Sequence, residues 1–326
     1  MSPLSFPPKI ALAQTPTPLD RLERGDVDPY RLWCKRDDLT GCALSGNKVR
    51  KLEFVLSEAL SQGADTLITC GGLQSNHCRA TALIAAAWGL NCRLVLRGEP
   101  EQVYDGNLLL GQLAGAQIAC FSEREYRKKL PELLAHQVQQ VLASGGKPYV
   151  IPTGASDAVG LWGYVAAAKE LAEDFQRCQI KQPLVVCAAG SGGTLAGLAA
   201  GLSAFLPTAE VLGIAVCDSA EYFRQRVYED VSAAMERYPG CGLKMPENFT
   251  VVDDYIGPGY ALVYPEVTQA IAEAAQSSGL MLDPVYTGKA YFGMLEQLRQ
   301  RAFAPRDVVF VHTGGIFGLF PYKHAF

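Results

Sequence analysis

Short apolar runs alternate with segments of helical periodicity along most of the chain. Residues 66–70 (TLITC), 92–97 (CRLVLR), 117–121 (QIACF), 148–151 (PYVI), 184–187 (LVVC), 211–216 (VLGIAV) and 308–312 (VVFVH) read as short buried strands. RLWCKRDD at 31–38 reads as a further strand ending in acids. Between them, apolar residues recur every three or four positions. Val49, Leu52, Val55, Leu56, Ala59 and Leu60 predict a helix that begins after Asn47 and stops at Gly63. Similar patterns predict helices from about 76 to 89, 107 to 114, up to about 144, and then over 160–175, 195–205, 220–237 and 266–277. The opening segment, with Pro3, Pro7, Pro8, Pro16 and Pro18, reads as an extended arm, and 238–248 reads as a loop.

Strands that alternate with helices and are apolar along their whole length belong to parallel sheets covered on both faces. The expected fold class is therefore α/β, with two doubly wound parallel-sheet lobes. Residues 52–160 would form a small α/β domain, and 1–51 with 161–326 a large one. No repeat or low-complexity linker marks the boundary. Ligands in such sheets sit at the carboxyl ends of the strands, here in the cleft between lobes.

Composition narrows the function. At 326 residues, 49% hydrophobic and 19% charged, the chain suits a soluble enzyme with a sizeable core. A net charge of −4 gives no basic footprint for nucleic acid, and no uncharged run is long enough to span a bilayer. The N-terminus lacks the charged and apolar regions of a signal peptide. The ten cysteines are scattered without a CxxC pair, and several sit inside apolar runs. A reduced, cytoplasmic protein is expected. The four histidines form no HxxxH pair and no metal-ligand spacing is visible.

Three stretches carry candidate chemistry. Lys48 stands where the polar loop TGCALSGN meets the first turn of a helix, a position made electropositive by unpaired amide groups. An ammonium disfavoured there is closer to the free amine that imine chemistry requires. The plainer alternative is a solvated charge run with Arg50 and Lys51. GSGGT at 190–194 follows a strand and opens a helix, the setting of an anion site. It lacks the GK[ST] of a nucleotide triphosphate loop, and Asp218 lies beyond the usual dinucleotide spacing. A monophosphate cup and a ligand-free turn remain, with the dinucleotide reading surviving only weakly. GGLQSNH at 71–77 also enters a helix, where Ser75 and Asn76 are either caps or ligands for a substrate carboxylate.

Taken together, TPTPL at 15–19, KRDDLTG at 35–41, SGNKVRKLEF at 45–54, GGLQSNHCR at 71–79, GSGGT, GPGY at 257–260, LDPVYTGKA at 282–290 and HTGG at 312–315 cover nearly the full length. In these motifs the chain resembles the pyridoxal-phosphate enzymes of the tryptophan-synthase β type. Within them it resembles the 1-aminocyclopropane-1-carboxylate deaminase / D-cysteine desulfhydrase family. The resemblance implies that Lys48 bonds the cofactor's aldehyde and that Gly190, Ser191, Gly192, Gly193 and Thr194 hold its phosphate. It also implies that Ser75, Asn76 and His77 serve the substrate carboxylate, with Asn76 near the cofactor's 3′ oxygen. Tyr286 would stack on the pyridine, Tyr260 would line the site, and Thr313 would face the pyridine nitrogen. Lys48, Ser75, Tyr260 and Tyr286 are then the candidate acid–base groups, in a homodimer acting on a small amino acid.

Deaminases of the cyclopropane acid look as if they carry glutamate after the stacking tyrosine and leucine after the final histidine; here those positions are Thr287 and Thr313, with Thr287 a candidate substrate contact. Threonine keeps the pyridine a weaker electron sink, which suffices when an α-proton is removed and a good leaving group departs from Cβ. The expectation is β-elimination, with D-cysteine giving pyruvate, ammonia and hydrogen sulfide. Cysteate, D-serine, β-chloroalanine and the cyclopropane acid are alternative substrates. A non-catalytic pyridoxal-phosphate protein and a nicotinamide-dependent oxidoreductase are the readings from other classes.

Overall fold

The computed structural model describes residues 4–99, 104–304 and 306–326. Pro3 of the proline-rich arm lies outside them. The chain runs through β1 (Leu19–Leu22), β2 (Arg31–Lys35), α1 (Asn47–Ser61), β3 (Thr66–Gly72), α2 (Asn76–Ala87), β4 (Asn91–Arg97) and α3 (Gly106–Leu113). It continues through β5 (Gln117–Phe121), α4 (Glu123–Ala143), β6 (Pro148–Val150), α5 (Trp162–Arg177), β7 (Leu184–Ala189) and α6 (Gly193–Phe205). The remainder is β8 (Glu210–Ala215), α7 (Ala220–Arg237), β9 (Phe249–Val252), α8 (Pro265–Ser278), α9 (Thr287–Arg299) and β10 (Asp307–Val311).

The strands form two sheets. One has the order β1-β2-β10-β7-β8-β9 and the other β5-β4-β3-β6. Every pairing is parallel except that of β1 with β2. The expectation of purely parallel sheets is corrected there: the end of the proline-rich arm adds an antiparallel edge strand. β9 was not anticipated either. β1 sets Asp20 and Arg21 between its leucines, and β9 emerges directly from a proline- and glycine-rich loop, so neither stands out as an apolar block. The inner strands β3, β4, β7, β8 and β10 are covered on both faces as expected. Along β10, Val309 and Val311 enter one apolar core while Val308 and Phe310 enter the other, because alternate side chains point to opposite faces.

Local chemistry fixes the helix entrances nearest the cleft. Ser75 caps α2, its hydroxyl accepting from the Cys78 N–H at 3.2 Å. Among the described residues no helix is long and apolar enough to cross a membrane.

α1 is seated by buried charge. Arg50 donates to both oxygens of Asp37, at 2.8 and 2.9 Å, and to both oxygens of Glu170, each at 3.0 Å. Asp37 also accepts from the Tyr164 and Thr17 hydroxyls, and Lys35 pairs with Glu170 and Asp174, each at 2.6 Å. Burial would push the Asp37 carboxyl up, but Arg50 and these donors outweigh it and hold it below the ordinary value. Further along α1, Glu53 accepts from the Lys9 ammonium and from the Leu12 and Ala13 N–H groups, tying down the arm. Replacing Asp37 by Ala strands the buried guanidinium. Asp37→Ala is expected to lower stability by about 3–5 kcal/mol, read from denaturant unfolding.

Candidate functional site

A cavity of about 670 Å³ opens at the carboxyl ends of the parallel strands. Ser75, Asn76 and His77 reach it from behind β3, Arg97 from the end of β4, and Gly190, Ser191, Gly192 and Thr194 from the turn after β7. Thr313 follows β10, and Lys48, Tyr260 and Tyr286 complete the wall. The fold thus gathers most of the residues singled out in the sequence into one space, including residues more than 200 positions apart.

Lys48 lies in the first turn of α1, half-buried at the cavity. Gly46 enters that turn at φ +88°, and a Cβ there would stand 2.8 Å from the Thr313 carbonyl oxygen. Only glycine suits both the backbone angle and the gap. The Asn47 N–H then donates to the same carbonyl at 3.0 Å, locking the lysine's helix entrance to the Thr313 turn. Among the described residues no carboxylate or hydrogen bond meets the Lys48 amine, and burial lowers its pKa to about 8. The Arg50 and Lys51 side chains are 3% and 0% exposed, so the alternative of a solvated charge run is corrected.

The turn after β7 forms a cup at the N-terminus of α6. Ser191 and Thr194 offer hydroxyls, and Asn47 donates to Thr194 Oγ1 at 3.0 Å. Gly193 does not line the cavity: its N–H donates to Ser156 Oγ at 3.1 Å, and that hydroxyl donates to Ser191 Oγ at 2.8 Å. Lys51 stands beneath the cup, donating to the Gly154 carbonyl and Ser156 Oγ, each at 3.1 Å. Burial, reinforced by the charge of Lys48, drives its pKa well below the ordinary value. An anion arriving in the cup would restore the ammonium form. Lys51 had not been singled out, although its i+3 relation to Lys48 put both on one helix face.

Gly190 leaves room for an aromatic ring: a Cβ there would stand 2.8 Å from the Tyr286 ring. The Tyr286 and Tyr260 hydroxyls meet at 2.5 Å, and burial raises both phenols above their ordinary pKa. On the opposite wall, Asn76 Oδ1 accepts from Asn107 Nδ2 at 2.9 Å, which leaves the Asn76 Nδ2 donor for the cavity. Thr69 gives its own proton to the Ile151 carbonyl, so His77 Nε2 is the donor in their 2.8 Å contact. His77 is then neutral, and burial holds its pKa well below the ordinary value. Sequence reasoning missed Asn47, Asn107 and Ser156, whose partners are distant in the chain, and Asp283, whose partners follow it closely. It also missed Arg97, which its place at the carboxyl end of the predicted strand 92–97 could have revealed.

Thr287 does not line the cavity. It is 1% exposed, and its hydroxyl donates to Asp283 Oδ1 at 2.7 Å. Asp283 also accepts from the N–H groups of Val285, Tyr286 and Thr287, so the expected substrate contact at Thr287 is corrected to a brace for the start of α9. Among the described residues no cluster of His, Cys, Asp and Glu has the makings of a metal site.

The family model for pyridoxal-phosphate dependent enzymes matches residues 10–314. A relative from Thermotoga maritima named putative 1-aminocyclopropane-1-carboxylate deaminase is 44% identical over 96% of this chain and 97% of its own. The D-cysteine desulfhydrase of Yersinia enterocolitica is 41% identical over 97% and 96%. The mitochondrial bifunctional D-cysteine desulfhydrase/1-aminocyclopropane-1-carboxylate deaminase of Arabidopsis thaliana is 40% identical over 95% and 79%. A crystal structure of an ACC deaminase homologue superposes with a TM-score of 0.87 at 37% identity, covering 98% of this chain and 95% of that one.

The cavity fits pyridoxal phosphate on its own features: a helix-terminal cup with a buried cation for the phosphate, a partnerless amine of lowered pKa for the aldehyde, and an aromatic ring against Gly190. Two outcomes follow. Lys51→Met should raise the dissociation constant for pyridoxal phosphate about 10- to 100-fold, as loss of a hydrogen bond to a charged group implies, read by titrating the cofactor-free protein. Cofactor capture by the wild type should quicken as pH rises through about 8, where Lys48 deprotonates, rather than through the ~10.4 of an ordinary lysine.

Proposed function

The chain belongs to the pyridoxal-phosphate dependent enzyme family, and on that premise we propose that it catalyses β-elimination from a small β-substituted amino acid, D-cysteine foremost. The products are pyruvate, ammonia and hydrogen sulfide, with one water consumed. The observation that carries the choice of reaction is at Thr313 and Thr287. Thr313 offers the cavity a hydroxyl and Thr287 is turned away onto Asp283, so neither position presents a carboxylate to a bound ring. The carboxylate that does reach the wall, Asp283, is taken up by three backbone N–H groups and the Thr287 hydroxyl.

When bound, pyridoxal phosphate supplies the electron sink that accepts charge from the substrate's α-carbon. Ser191, Gly192, Thr194 and Lys51 would hold its phosphate end, Lys48 Nζ would take its aldehyde, and Tyr286 would cover its ring. Ser75 and Asn76 fix the substrate carboxylate. Set free when the substrate's own amine takes its place, the Lys48 amine, its pKa lowered by burial to about 8, would take the α-proton. The paired Tyr260 and Tyr286 phenols, kept protonated by burial, can pass a proton to the group that leaves Cβ. Water then converts the three-carbon enamine left behind to pyruvate and ammonia.

A second reading, opening of the cyclopropane ring of 1-aminocyclopropane-1-carboxylate, is favoured by the name of the Thermotoga relative. The proposal extends to a small domain over 52–160, a large one over 1–51 and 161–326, and a cytoplasmic homodimer. Exposed Leu262, Ile316, Phe320 and Phe326 supply apolar surface of the kind a second copy covers. Light scattering reads that mass, and cell fractionation the compartment.

The protein purified with its cofactor should release sulfide and pyruvate from D-cysteine and not from L-cysteine. Ammonia and 2-oxobutyrate from the cyclopropane acid, without sulfide from D-cysteine, would instead establish the second reading. Lys48→Ala should abolish both the cofactor's protein-bound absorbance and turnover; a variant retaining both would overturn the assignment of Lys48.

A further inference from the structure

Among the described residues three arginines line the cavity, and two of them are matched. Arg127 pairs with Glu123 at 2.8 Å, and Arg226 with Asp230 at 2.6 Å and Glu229 at 3.0 Å. Arg97 forms no ion pair and no side-chain hydrogen bond among the described residues. Its guanidinium carbon instead lies 4.8 Å from the centre of the Tyr260 ring and 5.9 Å from that of Tyr126. Aromatic faces hold a guanidinium in place without occupying its N–H groups, which all lie in its own plane. A half-buried, fixed and uncompensated cation with five unspent donors is built to meet an anion.

Its position indicates which anion. Arg97 is the register partner of Gly72, and a Cβ on Gly72 would stand 3.9 Å from the Tyr260 hydroxyl. Arg97 therefore borders the Tyr260–Tyr286 hydroxyl pair. The phosphate cup has its own cation in Lys51, and the carboxylate wall has Ser75 with Asn76. We propose that Arg97, seated on Tyr260, forms the subsite for the substrate's β-substituent and holds the negative charge that the substituent acquires on leaving. This rests on the elimination reading and deepens it. The Cβ–substituent bond breaks with its electron pair going to the departing atom, and the arginine stabilises that pair on hydrosulfide, or on sulfite from a sulfonate. Chloride, a far better leaving group, needs such help least.

The test compares wild type, Arg97→Gln and Arg97→Lys as cofactor-loaded proteins. Cysteine and β-chloroalanine are used in the hand that the wild type turns over. Aspartate and asparagine of that hand, isosteres that differ in the charge on the β-substituent, serve as ligands in spectral titrations. Arg97→Gln should lower kcat/KM about 100-fold for cysteine and less than about 10-fold for β-chloroalanine. It should also erase a wild-type preference for aspartate over asparagine that Arg97→Lys retains. Equal losses on both substrates, with aspartate and asparagine weakened alike, would assign Arg97 to the α-carboxylate and overturn the proposal, as would an unchanged Arg97→Gln. If the wild type turns over neither substrate yet shows an arginine-dependent preference for aspartate, the elimination reading fails while the subsite stands.

Discussion

The site depends on burying charge along the first two turns of α1. Arg50 and Lys51 are withdrawn from water beside Lys48, and Glu53 follows within the same stretch. Two side chains are compensated by full ion pairing, Arg50 by Asp37 and Glu170, and Glu53 by Lys9. The two lysines are left without a carboxylate, and both have pKa values pushed down by burial. The division is functional. Paired charges hold the helix rigidly against β2, α5 and the N-terminal arm. Of the lysines without a carboxylate, Lys48 lines the cavity and is available as an amine, while Lys51 lies beneath the phosphate cup and awaits an anion. A salt bridge to Lys48 would keep it protonated and useless as a nucleophile.

The same economy runs through the rest of the cavity. Groups that shape the site are satisfied by protein: Asp283 by the start of α9, Asn76 Oδ1 by Asn107, and His77 Nε2 by Thr69. Groups that face the space are left with capacity: the Asn76 amide, the Ser191 hydroxyl, the Lys48 amine and the Arg97 guanidinium. Satisfied neighbours restrict the rotamers of functional side chains, so the cavity is organised before a ligand arrives. Both tyrosines share in this, since their mutual hydrogen bond fixes each phenol relative to the other.

Much of the fold was legible because its strands are short apolar blocks and its helices carry clear periodicity. The misses have physical causes. β1 carries Asp20 and Arg21 between its leucines, and β9 emerges directly from a proline- and glycine-rich loop. Arg50 and Lys51 read as solvent-facing because charge in sequence says nothing about a partner 120 residues away such as Glu170. Thr287 was expected to contact substrate from its place beside Tyr286. The start of α9 turns it instead onto Asp283, which needs its hydroxyl.

The meaning of the threonines at 287 and 313 came from the family resemblance. By itself the sequence determined what local physics encodes: two sets of parallel strands, glycine-rich entrances to α2 and α6, and a lysine at the entrance to α1. These follow from spacing, capping and residue type, which act over a few positions. Only the tertiary structure decided which of those residues share a cavity, which charges are paired, and which are left to act. Burial and pairing arise between segments far apart in the chain, and they set the state of Lys48, the cation beneath the phosphate cup and the unspent guanidinium of Arg97.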